Sequence, residues 1–160
     1  MSDSTPSALT NAHTPAFGLA PGLITEVHAF WLAGMSCDGC SIAAVGAQHP
    51  SVEQLVSGAI PGLPVIVLHH PVLATEAGEA FIGPYRRARE GKLGAPYVVI
   101  YEGSVADERI AAEHGGYWSA MGADISADDQ HKPIPTAQWL HDLAPGAAAV
   151  IAIGTCATWG

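Results

Sequence analysis

Apolar residues gather in four short runs: Val27–Leu32, Val65–Leu68, Tyr97–Tyr101 and Ala148–Ile153. Each is strand length, and each is separated from the next by a stretch with helical spacing or helix-start signals. The first strand is expected over about Glu26–Leu32, where Phe30 and Trp31 suit pleated, half-buried positions. A helix is expected to start near Cys40 or Ser41 and to run through Val45, with His49-Pro50 breaking it. Ser51 with Gln54 three positions later makes a capping box for a second helix, Val52–Val56, ending at Gly58. Pro64 opens the second strand, whose continuous apolar run reads as a buried parallel strand. A helix over Thr75–Glu90 is expected to kink or break at Pro84. A short helix over Asp107–Glu113 stops before Gly115-Gly116. The connection to Pro135, with Tyr117, Trp118 and Met121, is too long for a minimal loop and reads as functional or interfacial. Thr136 caps a last helix with Trp139 and Leu140 facing inward, closed by Pro145-Gly146. Strand and helix in alternation predict an α/β fold, a doubly wound parallel sheet with helices on both faces.

Residues 1–24, rich in Ser, Thr, Pro, Ala and Gly, show no sustained periodicity and read as a flexible extension, leaving 25–160 as the folded domain. At 160 residues, 49% hydrophobic and 13% charged, the chain suits one domain with a real core. Six basic against fifteen acidic residues give a net charge of −9, which argues against a nucleic-acid partner or an anionic membrane surface. There is no signal-peptide pattern, no apolar run of bilayer length and no P-loop motif. The expected setting is cytoplasmic, with any membrane association made through partners.

The three cysteines change the picture more than the bulk numbers do. Cys37 and Cys40 form a C-x-x-C just after the first strand, and Cys156 follows the fourth. In parallel sheets ligands gather outside the carboxyl ends of the strands, so the two loops can meet at one point. Three cysteines cannot all pair within one chain. A C-x-x-C at a helix start is open to redox dithiol chemistry, zinc binding, iron–sulfur binding, or simple burial. The third cysteine, in a loop of small residues, weights the balance towards a cluster. His69-His70-Pro71 ends the second strand; these histidines read as hydrogen-bonding core or rim residues, with metal ligation as the rarer alternative. Asp124, Asp128 and Asp129 read as a solvated acidic loop.

Trp31-Leu32, C-x-G-C-S over Cys37–Ser41, Tyr97–Gly103 ending in Glu-Gly, and G-T-C-A-x-x-G over Gly154–Gly160 together closely resemble the small subunit of [NiFe] hydrogenases. The resemblance runs from about Glu26 to Gly160. It implies a flavodoxin-like domain carrying a proximal [4Fe–4S] cluster, a partner large subunit housing a Ni–Fe centre, and a downstream electron acceptor. It implies Cys37, Cys40 and Cys156 as cluster ligands, with Glu102 close by. The C-D-G-C form looks like the actinobacterial-type branch, in which an aspartate replaces one cysteine, and this makes Asp38 the candidate fourth ligand. Asp38 has a plainer reading as a helix N-terminal acid. The family's later ligand segment and second cluster domain are not in this sequence, so a fragment is expected. The rival readings are a cluster subunit of a quinone-linked dehydrogenase, where adjacent cysteines are usual, and a thiol-disulfide oxidoreductase using Cys37 and Cys40.

Overall fold

The structure is a computed structural model that describes residues 24–125 and 131–160. Apart from Ile24, the expected N-terminal extension lies outside the described residues, as do Asp128 and Asp129. In chain order the elements are β1 (Glu26–Ala33), α1 (Gly39–Val45), α2 (Val52–Val56), β2 (Val65–His69), α3 (Glu79–Arg89), β3 (Tyr97–Glu102), α4 (Glu108–Glu113), β4 (Ala120–Ile125), β5 (His131–Pro135), α5 (Thr136–Leu143), β6 (Ala149–Ile153) and α6 (Thr155–Trp159).

The main sheet has the order β2-β1-β3-β6, and every pairing is parallel. Right-handed crossovers dictate the layering. The chain moves from β1 to β2 in one direction, then back across β1 to β3 and on to β6. The first connection therefore puts α1 and α2 on one face, and the later ones put α3 and α5 on the other. The reversal makes the gap between β1 and β3 the topological switch point, the usual place for a ligand in such a fold.

The main core lies between the sheet and the α3–α5 layer. Alternate residues Phe30 and Leu32 of β1 and Tyr97, Val99 and Tyr101 of β3 pack against Ile82, Tyr85 and Ala88 of α3 and Trp139 and Leu143 of α5. Three of the buried aromatics place their polar tips on backbone carbonyls. Tyr85 donates to the carbonyls of Trp31 (3.2 Å) and His69 (2.8 Å), Tyr97 to that of Leu143 (2.7 Å), and Trp139 to that of Met121 (2.8 Å).

Several local expectations are met: α1 and α2 lie where expected, and the Ser51–Gln54 capping box is formed. Others need correction. α3 starts at Glu79 rather than Thr75, because Gly78 takes φ +58° and ψ −133°, which no helix can include. It then runs through Pro84 without breaking, since the packing of Ile82, Tyr85 and Ala88 outweighs one missing backbone hydrogen bond. The second and fourth runs form the edge strands β2 and β6. β2, expected as a buried strand, is only half-buried, so its apolar run did not mean full burial. The expected long loop holds an antiparallel hairpin, β4–β5, with its irregularity at Gly122 (φ +72°). Asp124 belongs to β4 and pairs with Arg86 (2.8 Å) and Arg89 (3.4 Å) of α3 rather than standing in a solvated loop. Thr136 is the first residue of α5 and buried; its side chain meets Ser119 (2.7 Å), which donates to the carbonyl of Ala33 at the end of β1 (2.9 Å). No helix among the described residues is long and apolar enough to cross a membrane.

Candidate metal centre

The loops after β1 and β3 are sewn together at the switch point. Gly34 donates to the carbonyl of Glu102 (2.8 Å), and Met35 donates to that of Ser104 (2.9 Å). Gly103 makes this approach possible: it takes φ +84°, and a Cβ there would stand 2.7 Å from the carbonyl of Met35. The crossing of these two loops sets Glu102 directly beneath the Cys37–Cys40 turn.

Glu102 is 1% exposed and its carboxylate is fully engaged. Oε2 accepts from the indole N–H of Trp31 (2.9 Å) and from the Ser41 hydroxyl. Oε1 accepts from the Ser36 hydroxyl (2.9 Å) and the backbone N–H of Cys40 (3.0 Å). Burial alone would push the carboxyl up, but the hydrogen bonds from Ser41, Ser36 and Trp31 outweigh it and hold it below the usual carboxylate range. A fixed negative charge therefore sits behind the cysteines.

All three cysteines are free thiols; Cys37 and Cys156 are exposed and Cys40 is partly covered. Cys40 Sγ lies against the loop after β6, 3.7 Å from the carbonyl of Ile153. Gly154 has φ +79°, and a Cβ on it would collide with Cys40 Sγ. The β1 and β6 loops thus come together as their positions after two parallel strands required. Burial pushes the Cys40 thiol up, and Glu102, Cys37 and Cys156 add to the rise in that order. A redox nucleophile needs the opposite shift, so Cys40 is not itself an activated nucleophile. Among the described residues no three His, Cys, Asp or Glu side chains converge as they would around a single metal ion. Such convergence is what a mononuclear zinc site would need.

Asp38 occupies the N-cap position of α1 in the left-handed region (φ 59°), the one positive-φ non-glycine among the described residues. Its carbonyl accepts from Ile42, but its side chain makes no capping hydrogen bond. The carboxylate is exposed on the cysteine turn at the N-terminus of α1, a position that suits a helix N-terminal acid as well as a ligand. His69 and His70 both hydrogen-bond within the fold. His69 Nε2 meets His28 Nδ1 at 2.8 Å, and buried His70 meets Ser41 Oγ at 2.9 Å. Sequence reasoning placed Glu102 near the site but did not find its donors Ser36, Ser41 and Trp31, or His70 behind them. The serines flanking the cysteine pair were the available signal.

Residues 37–160 match the family described as the NADH ubiquinone oxidoreductase 20 Kd subunit, a segment that holds all three cysteines and Glu102. The chain belongs to this family. Among solved structures it is similar to the actinobacterial-type NiFe-hydrogenase from Ralstonia eutropha H16, at 44% identity and a TM-score of 0.76, covering 98% of this chain and 42% of that one. Over 81% of its length it is 28% identical to the periplasmic [NiFeSe] hydrogenase small subunit of Desulfomicrobium baculatum. Over the same share it is 30% identical to the hydrogenase-2 small chain of Escherichia coli K12. It spans 38% and 29% of those two relatives' own lengths. The family's fold is therefore the α/β sheet described above, and its hydrogenase relatives uphold the resemblance drawn from the cysteine motifs.

Proposed function

We propose that this chain is the cluster-bearing domain of a [NiFe] hydrogenase small subunit, which takes electrons from H2 oxidation at a partner large subunit through a proximal [4Fe–4S] cluster. The observation that carries the reading is the meeting of two thiol-bearing loops at the carboxyl end of the sheet, over a buried carboxylate. The donor set fits: three soft, free thiols, with a glycine leaving room beside one of them. Cys37, Cys40 and Cys156 would hold the cluster, and Asp38, whose carboxylate makes no capping hydrogen bond, would be its fourth ligand. When bound, such a cluster supplies one-electron redox chemistry. The chain's own residues fix its surroundings. Glu102 holds a negative charge in place, Trp31, Ser36, Ser41 and the Cys40 N–H orient that charge, and Gly154 keeps backbone close to Cys40.

A partner is supported by the surface. Met35, Ile42, Val72, Val105 and Trp159 are exposed apolar residues on the loops and helices that carry or adjoin the site. The cytoplasmic setting stays part of the proposal, and fractionation of the complex tests it, since the Desulfomicrobium relative is periplasmic. The family description also covers quinone-linked enzymes, but the separated Cys37 and Cys40 and the 44% identity favour a hydrogenase. The test is anaerobic purification of the complex, iron and sulfide analysis, and EPR. Stoichiometric iron and sulfide, lost in Cys156→Ser, is the expected result. A metal-free protein with a reducible Cys37–Cys40 pair would overturn it.

A further inference from the structure

We infer that His70 is a positioning residue for the site: it fixes the direction of the Ser41 hydroxyl and so holds the Glu102 carboxylate in place. His70 is 2% exposed and follows β2 on the face opposite the main core, with its ring 4.7 Å from that of Trp31. Its Nδ1 receives two backbone N–H groups, from Val72 (3.1 Å) and Leu73 (3.4 Å). A ring nitrogen that accepts from two donors carries no proton, so the proton of the neutral imidazole is on Nε2. Nε2 faces Ser41 Oγ at 2.9 Å and therefore donates to it. Ser41 has one hydrogen of its own, and Glu102 Oε2 is the acceptor in reach. The chain of donation runs one way, from the backbone after β2 through imidazole and hydroxyl to carboxylate. Either other state of His70, the Nδ1-H tautomer or the imidazolium, would turn an N–H towards the two backbone N–H groups.

The consequence is that the Ser41 hydroxyl cannot turn away from Glu102. With it fixed, each carboxylate oxygen accepts two donors, and the charge behind Cys40 is held in one position and partly offset. A residue distant in sequence, in contact with neither Cys37, Cys40 nor Cys156 by hydrogen bond, thereby sets the electrostatics of the site. The inference rests on the cluster reading proposed above.

Two substitutions separate His70's roles. His70→Asn keeps an acceptor where Nδ1 stood and loses the donor to Ser41. His70→Gln places an amide N–H where Nε2 stood. The measurement is an EPR-monitored redox titration of the cluster in the purified complex, with iron content checked for each variant. In His70→Asn the freed hydroxyl offsets the Glu102 charge less, so the midpoint potential shifts to more negative values. Ser41→Ala shifts it further the same way and supplies the reading if His70→Asn loads iron poorly. His70→Gln stays with the parent protein. Potentials and spectra unchanged in both His70→Asn and Ser41→Ala at full iron content would overturn the inference, as would a shift in His70→Gln equal to that in His70→Asn. A parent complex with no iron–sulfur signal would instead overturn the cluster reading itself.

Discussion

Trp31 reaches Glu102 diagonally across two paired strands: the register sets Ala33 opposite Glu102, and the indole two residues earlier donates to Oε2 at 2.9 Å. This diagonal is within reach of a large aromatic side chain on the same face of a sheet. A residue that looks like core is thus one of four groups that keep a buried carboxylate ionised. Glu102→Gln would turn an amide NH2 towards an N–H group, that of Trp31 or Cys40, leaving at least that donor unpaired. We expect a loss of about 1–3 kcal/mol, read by thermal unfolding of the assembled protein. The pH dependence gives a second measure. Since the folded carboxyl is held below its unfolded value of about 4.3, its contribution is full above that pH and fades as pH falls through the folded value. Glu102→Gln should lose this acid-range slope.

Gly154 carries φ +79° and ψ 166°, a region essentially closed to residues with a Cβ, and its Cα faces Cys40 Sγ. Gly154→Ala should cost on the order of 1–3 kcal/mol from backbone conformation alone. Because the new methyl must displace the thiol, iron content should fall more than stability does. Full iron loading in that variant would show that Cys40 does not bind where the proposal puts it.

Asp38 separates a ligand from a cap. Asp38→Asn keeps a side chain that tolerates the left-handed region and removes the charge, whereas Asp38→Cys restores a thiolate. As a ligand, Asp38 gives a changed EPR spectrum and potential in both variants. Identical spectra in the two would remove it from the cluster.

His69 is held at about 4, first by burial and then by the neighbouring His28 and Arg87. Its folded value lies below the unfolded one of about 6.5, so the unfolded chain binds the extra proton first. Stability should therefore decline as pH falls from about 6.5 to 4, by at most about 1.4 kcal/mol per unit, and level off below. Chemical denaturation across that range in the parent and in His69→Phe checks it. The same slope in both would assign the effect elsewhere.

Strand positions, the parallel order and the meeting of the cysteine loops were legible because they rest on local run length and on the rule that parallel strands present their carboxyl ends together. The edge position of β2 among the described residues was not, since an apolar run looks alike whether a neighbour covers it or not. The β4–β5 hairpin escaped because Gly122 interrupts its alternation. Glu102 was visible as part of a motif. Its donors were not, because Ser36 comes from a loop, Ser41 from α1 and Trp31 from a strand, and only the β1–β3 register brings them to one carboxylate.

Tyr85 lies on the far side of the sheet from all of this, yet its single hydroxyl touches the carbonyls of Trp31 and His69. Those two residues lie towards the carboxyl ends of β1 and β2, one bearing the indole that serves Glu102 and the other preceding the imidazole behind Ser41. The phenol acts as a registration pin, inserted from the helix layer, for two strand ends whose next side chains work on the opposite surface. The tolerance of the metal side is therefore set partly in the hydrophobic layer. A repacking of α3 that withdrew this pin would be felt as a loss of alignment at the carboxylate, with every residue of the site still in the sequence.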